Sequence, residues 1–487
     1  MTDTVKIEYH DETHMKIQCD PGVAFEINDY FTFDVPGAKF MPAYRNKMWD
    51  GKIRLFNVMS CLLYAGLINY VEKFCKDRGY EFETVTDRYD PEEFSLLEAR
   101  EFIKKLNPKM EPRDYQVEAF THAVRNKRGV LLSPTASGKS FIIYLLTRYY
   151  NARTLIIVPT TSLVSQLATD FADYGLDSDR YVHRVFAGEA KTTSKPITIS
   201  TWQSIYKLPK SYYESFDVVI GDEAHLFKAK SLQSIMEKLG KCAYRFGFTG
   251  TLDGTQTHKL VLEGLFGAVR KVITTTELIE KKHISDLSIK CILLKYPDNV
   301  RQLIAKTDYK TEIDYLIQSQ ARNNFIKNLA LSLEGNTLLL FQMVDKHGKV
   351  LYNLIKNETD KPVYFVHGGI DGSDREEIRK LVESSPSCVI VASYGTYSTG
   401  INIRNLHNVI FASPSKSRVR NLQSIGRGLR KSDTKTTATL YDIADDMVWK
   451  SRKNFTLLHF VERIKIYNEE KFEYKIYNVG LKNDSKT

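Results

Sequence analysis

The chain has 487 residues, 43% hydrophobic and 26% charged, enough for three or four cores, and its 69 Lys and Arg against 59 Asp and Glu give a net charge of +10 that leans towards a polyanionic partner. No uncharged apolar run approaches the roughly 18 residues of a membrane span, and the polar N-terminus lacks a signal-peptide core. Six scattered cysteines without a C-x-x-C pair argue against a zinc ribbon or a disulfide framework, so the expectation is a cytoplasmic protein with reduced thiols and no membrane partner.

In chain order, the first hundred residues mix alternating strands such as "VKIEYH" with a helix-like "LINYVEKFCKDRG" and read as a small α+β unit. Within it, "KFMPAYRNKMWDGKIRLF" (39–56) interleaves Arg45, Lys47, Lys52 and Arg54 with Tyr44 and Trp49, and Asp50-Gly51 would turn two short strands into a hairpin. Such a ribbon suits a polyanion whose bases offer stacking faces; the alternative is a half-buried hairpin with a wet basic face, and Trp49 serves either as a stacking ring or as a core anchor. "DRYDPEEFSLLEAREFIKKLNP" reads as a charged helical connector.

From Gly129 short apolar strands ("VLL", "TLIIV", "ITIS", "DVVI") alternate with helical stretches, which signals a parallel sheet with crossover helices. A second series follows in "NTLLLF", "VYFV", "CVIVAS", "NVIFA" and "ATLYDI". "TTTELIEKKHISDLSIKCILLKY" would connect the two, and "FTLLHFVERIKIYNEEKF" with a last strand would form a C-terminal appendage. The expected domains are 1–100, 101–282, 283–450 and 451–487.

Strand "VLL" runs through "SPTASGKS" into a helix, where the loop Pro134, Thr135, Ala136, Ser137 and Gly138 can cradle phosphate oxygens. Lys139 can reach the terminal phosphates of ATP and the Ser140 hydroxyl can bind Mg²⁺, although Ser133 replaces the usual leading glycine. Strand "DVVI" delivers Asp222-Glu223-Ala224-His225 at its carboxyl end, so that Asp222 can hold the metal and Glu223 can orient water. His225 lacks a second ligand at metal spacing and reads as a coupling residue. In "QSIGRGLRK", Gln423, Arg427 and Arg430 recur at i, i+4 and i+7 on one helical face, where two guanidinium groups could clamp a γ-phosphate supplied by the other domain.

With "PRDYQ", "IVPTTSLVSQ", "STWQS", "FTGTL" and "ASYGTYSTGINI", these make eight elements in the order of the superfamily 2 helicases and translocases, which the sequence resembles over roughly residues 112–431. The resemblance implies an α/β chain of two tandem RecA-like parallel-sheet domains with a small N-terminal α+β domain and a short C-terminal appendage. It assigns Gln116 to adenine, Thr249 and Thr251 to coupling, Gly400 and Asn402 to the ribose side, and Arg427 and Arg430 as arginine fingers. Thr160, Thr201, Gln203 and Thr399 fall where the family touches the sugar-phosphate backbone. "RNKMWDGKIRLF" and the tail "NEEKF" further resemble the UvsW-type recombination helicases of tailed phages, across nearly the whole chain.

That resemblance implies a monomeric, ATP- and Mg²⁺-dependent motor in the bacterial host cytoplasm that acts on branched duplex and single-stranded DNA and on RNA–DNA hybrids, alongside single-stranded-DNA-binding or recombination proteins. The rival readings are a double-strand translocase subunit of a restriction system and a strand-annealing protein with a minor ATPase.

Overall fold

A computed structural model describes residues 4–482 except 36, 89, 187, 253, 401, 402, 404, 414 and 430–435, with the backbone alone at 372, 398–400 and 419. The chain divides into two units, Met1–Ser133 with Gly138–Val272 and Pro134–Ser137 with Ile273–Thr487.

The first unit opens with β1 (Thr4–Tyr9), β2 (His14–Gln18), β3 (Thr32–Asp34), β4 (Lys52–Arg54), β5 (Leu62–Tyr64) and β6 (Glu81–Thr84), which form a sheet of order β5-β2-β1-β6 and a separate ribbon β3-β4. Val5 and Ile7 of β1 and Met15 and Ile17 of β2 point inward while Lys6 and Lys16 point out, the period-two pattern of a sheet wet on one face. Ile27 of the helix Pro21–Tyr30 and Val71 and Phe74 of the helix Ile68–Arg78 complete this core.

The expected Asp50-Gly51 hairpin does not form. β4 pairs with β3, Thr32 opposite Arg54, and the intervening chain makes a 3₁₀ turn (Ala38–Phe40) and a short helix (Pro42–Arg45). Pro42 has no amide to give a strand ladder and its fixed φ suits a helix start. Asp50 instead accepts from the Lys52 amide at 3.1 Å and pairs with Arg54 at 2.5 Å.

The described residues then build a seven-stranded sheet from β7 (Arg128–Leu132), β8 (Thr154–Val158), β9 (Val182–Val185), β10 (Ile197–Thr201), β11 (Val218–Asp222), β12 (Tyr244–Thr249) and β13 (Val269–Lys271). Its order is β13-β7-β12-β11-β8-β10-β9 and every pair is parallel. β8 ("TLIIV") and β10 ("ITIST") are buried along their whole length, as strands covered on both faces must be. The charged connector is the helix Leu96–Leu106, opened by a Ser95–Glu98 capping box, and its Ala99 and Ile103 join the core of this second sheet.

The small sheet is fastened to the large one through Arg245 of β12, which is fully buried. Its guanidinium donates to the Glu12 carbonyl (2.7 Å), Thr13 Oγ1 (2.7 Å) and the Met236 carbonyl (2.6 Å). Tyr64 donates to Glu237 at 2.9 Å and Tyr70 to Glu263 at 2.7 Å. A Cβ on Gly66 would lie 1.9 Å from the Glu263 carbonyl oxygen, so the two backbones meet at a distance only glycine permits.

In the second unit the described residues form β14 (Asp286–Lys295), β15 (Thr337–Phe341), β16 (Val363–Val366), β17 (Val389–Ser393), β18 (Asn408–Phe411), β19 (Thr437–Asp446) and β20 (Tyr474–Gly480), in the order β16-β17-β15-β18-β19-β14-β20. All pairs are parallel. The segment "LSIKCILLKY", expected to connect the domains, supplies β14 instead, which pairs with β19 from Asp286↔Thr437 to Lys295↔Asp446. β20 extends the same sheet, so the C-terminal segment is woven into it.

The helix Phe455–Glu469 is held by a buried pair. Arg463 Nε lies 3.0 and 2.9 Å from the two Asp442 oxygens, its Nη1 donates to the Ser415 carbonyl at 3.0 Å, and Tyr467 donates to Asp442 at 2.8 Å. Arg463→Met should therefore strand a buried carboxylate and cost about 3–5 kcal/mol of stability. Chemical denaturation followed by far-ultraviolet circular dichroism would show it, and a midpoint equal to the parent's would refute it.

Candidate ATP site and nucleic-acid interface

β7, β12 and β11 are neighbours, and their carboxyl ends carry the phosphate loop, Thr249 and the Asp222-Glu223 pair. Parallel strands place ligands there. Gly138 precedes the helix Lys139–Tyr150 with φ of 77°, and a Cβ on it would lie 2.5 Å from Gln116 Nε2. The left-handed backbone favours glycine here, and a side chain would also have to displace the end of Gln116. Gln116, 3% exposed, donates to the Gly138 carbonyl at 3.3 Å while its Oε1 accepts from the Arg113 amide at 2.9 Å, so the adenine candidate touches the phosphate loop. Ser137 turns back on Pro134 through a 2.6 Å hydrogen bond, and Ala136 has φ of 68°. Helix-terminal amides beside such a loop favour anions.

Lys139 Nζ lies 3.8 Å from Glu223 Oε1, which brings the two motifs together. Glu223 has a left-handed backbone (φ 52°), and its Oε2 is 3.3 Å from His225 Nδ1, which is also 2.9 Å from Thr249 Oγ1. Thr249 in turn holds the Thr251 carbonyl at 3.0 Å, and Thr251 Oγ1 is buried with no partner among the described residues. His225 is thus a link between two motifs, and among the described residues no cluster of three or more His, Cys, Asp or Glu is arranged to hold a metal. Burial pushes the Asp222 carboxyl up to about 6, opposed by Lys139 and reinforced by Glu223. The donor chemistry fits Mg²⁺: a hydroxyl at Ser140 and a carboxylate whose burial a divalent charge would offset.

Sequence reasoning missed Tyr174, whose hydroxyl is 2.7 Å from Ser140 Oγ. The two residues are far apart in the chain, and only the fold pairs them. Thr160 Oγ1 caps the helix Thr161–Asp173 through the Leu163 amide at 3.4 Å, Thr201 Oγ1 lies 2.9 Å from Ser204 Oγ, and Gln203 donates to the Pro159 carbonyl at 3.5 Å. These three candidates cluster at the carboxyl ends of β8 and β10, whose last residues Val158 and Thr201 are paired.

In the second unit, Thr399 and Gly400 end the helix Tyr394–Gly400, and Asn402 lies outside the described residues. Gln423 and Arg427 lie one turn apart on the helix Arg418–Gly428, with the Arg427 guanidinium 5.7 Å from the centre of the buried Tyr397 ring. The helix ends at Gly428, and Arg430, the third member of the expected face, lies outside the described residues. The "NEEKF" tail anchors the start of this helix, since Glu469 and Glu470 pair with Arg418, its first residue.

On the N-terminal ribbon Arg45, Lys47, Lys52 and Arg54 are all exposed. Phe40 (67% exposed), Tyr44 and Met48 (82%) face solvent with them, whereas Phe56 is core. Trp49 is half-buried and donates Nε1–H to the Lys52 carbonyl at 2.8 Å, which braces the tip. Phe40 is one of the rings that the sequence interleaves with these cations, whereas Met48 escaped sequence reasoning because a solvent-facing apolar residue looks like a core residue in a string.

Two parallel seven-stranded sheets carrying this ordered motif set define a superfamily 2 helicase, and so an enzyme. Residues 4–85 match the family model "DNA helicase UvsW, N-terminal", residues 109–254 match "Type III restriction enzyme, res subunit", and residues 320–432 match "Helicase conserved C-terminal domain". The chain is 37% identical to the ATP-dependent DNA helicase UvsW of Enterobacteria phage T4, over 98% of this chain and 100% of that protein. The chain belongs to the UvsW family of phage recombination and repair helicases. It also resembles the crystal structure of T4 UvsW at a TM-score of 0.53 and 36% identity, covering 98% of this chain and 99% of that one. A DNA 3'-5' translocase of Sulfurisphaera tokodaii is 25% identical over 67% of this chain and 80% of its own length. Among the described residues no helix is long and apolar enough to cross a membrane.

Proposed function

We propose that the chain couples ATP hydrolysis to unwinding and branch migration of four-way junctions and forks, and to stripping RNA from R-loops, in a phage-infected bacterial cytoplasm. The observation that carries this reading is the ribbon tip: exposed cations and rings, held on the same compact unit as Lys139 and Glu223. A motor that only tracks a strand needs no such second grip.

In this reading residues 1–100 grip nucleic acid, 101–282 bind ATP, 283–450 form the second motor domain, and 451–487 brace it. Gln116 holds adenine, and the loop Pro134–Gly138 with Lys139 holds the phosphates. Ser140 and Asp222 hold Mg²⁺, which neutralises charge on the phosphates when bound. Glu223 orients the attacking water, and Arg427 and Arg430 stabilise the charge of the transition state. Gly400 and Asn402 lie towards the ribose. Thr160, Thr201, Gln203 and Thr399 hold the sugar-phosphate backbone without reading sequence. The enzyme works as a monomer on branched and single-stranded DNA and RNA–DNA hybrids, beside single-strand-binding or recombination proteins. The match to a restriction subunit is confined to the engine and adds no nuclease.

The test compares unwinding of a four-way junction, a fork, an R-loop and a linear duplex at one salt concentration, for the parent and for a variant with Arg45, Lys47, Lys52 and Arg54 changed to alanine. The variant should bind junctions more weakly, with a salt dependence flatter by roughly one unit of log–log slope for each phosphate no longer held. Junction unwinding should fall further than single-strand-stimulated ATP hydrolysis. Parent-like junction binding and unwinding with the same salt slope would reduce the ribbon to a solvated surface.

A further inference from the structure

Between the ribbon and the large sheet of the first unit runs a groove of about 450 Å³. Arg54, Asn57 and Ser60 line it on the ribbon side, and Lys228, Lys230 and Gln233 on the side of the helix Lys230–Lys238. Arg54, Lys228 and Lys230 are all exposed. Glu237 accepts from Tyr64 at 2.9 Å and keeps its charge, and Arg54 is paired with Asp50, but Lys228 and Lys230 outnumber that one carboxylate and leave the lining net basic. Its chemistry is that of phosphate contacts: ammonium, guanidinium, amide and hydroxyl groups.

Among the described residues the groove offers no open ring face. Tyr64 is stacked on His14 with centroids 5.1 Å apart, and its hydroxyl is spent on Glu237. Proteins that hold single strands rely on base stacking as well as charge. A groove with cations and amides but no open aromatic face suits a duplex, whose bases are turned inward and whose sugar-phosphate ridge faces outward. We propose that this groove holds one sugar-phosphate ridge of duplex DNA, so that the duplex arm of the substrate is gripped here while the ribbon tip meets the branch. This extends the branched-DNA reading above and rests on it. Lys228 ends the short helix Ala224–Lys228 that follows Glu223 directly, so a phosphate held there lies close in the chain to the water-orienting carboxylate.

The test uses the full chain with Lys228→Ala and Lys230→Ala together, a linear duplex, and a single strand of the same sequence as probes. A control removes two cations elsewhere on the same unit, the exposed Lys104 and Lys105, both to alanine. The duplex should bind several-fold more weakly to the groove variant, with the log–log salt slope flattened by about two. Single-strand affinity should move no further than in the control. Lys228→Arg with Lys230→Arg should keep duplex binding, which separates lost charge from disturbed folding. Equal losses on both probes, or a duplex loss no larger than the control's, would overturn the groove assignment. A parent that binds duplex but unwinds no junction would defeat the branch-migration reading alone, and the duplex comparison would still decide the groove.

Discussion

Glu223→Gln should lower the rate of ATP hydrolysis by roughly 10²–10⁴-fold, the range general-base groups contribute, while ATP and DNA still bind. The amide keeps the shape of the carboxylate but can neither accept a proton nor orient water as an anion does. Folding should survive, because the substitution removes the charge beside Asp222 and so relieves the repulsion between the two adjacent acids. It also frees Lys139 from its 3.8 Å ion pair, which should leave nucleotide affinity equal to the parent's or higher. Lys139→Ala differs: in the proposed site it deletes a phosphate contact, and it should weaken both binding and turnover. Single-turnover quenched-flow kinetics with a separate measurement of nucleotide binding tells the two apart. Substantial turnover in Glu223→Gln would remove that residue from the water-orienting role.

The other large effect is expected at the second unit's helix Arg418–Gly428 and just beyond it. Arg430→Ala should cut turnover by about a thousandfold or more, as the loss of an arginine finger does, with little change in nucleotide affinity. Arg427→Ala should act in the same direction. Arg427 is one turn from Gln423 and lies over Tyr397, a contact that limits the wandering of a long side chain. Lysine should rescue poorly at either position, since a point charge does not reproduce the planar fork. Near-normal hydrolysis in Arg430→Ala, with ATP binding intact, would show that the arginine takes no part in phosphate chemistry.

Much of the engine was legible because its signals are local. "TLIIV", "ITIS", "DVVI" and "NTLLLF" are short apolar runs that can only be buried strands, and "SPTASGKS" and "DEAH" hold their chemistry within a few residues. What stayed hidden depends on partners far along the chain. β12 contains Arg245, whose charge masks a strand until Glu12 and Thr13 arrive to satisfy it. β14 looked like a connector because its ladder is with β19, some 150 residues away. The Asp50-Gly51 pair gave a true turn signal and a false pairing, since β4 chose β3 over its nearer neighbour. The Ser140–Tyr174 contact carries no pattern at all.

The junction built around Arg245 and Gly66 also bears on inheritance. Glu12, Thr13, Tyr64, Gly66 and Tyr70 fasten the head to the engine, and none lies within residues 38–49. Mutations can therefore accumulate at the tip without loosening the mount. The mount itself hangs on one guanidinium, since two of its three acceptors are backbone carbonyls that persist whatever side chains stand there. Lineages of such motors would be expected to diversify by rewriting the tip in place, and only seldom by trading whole heads.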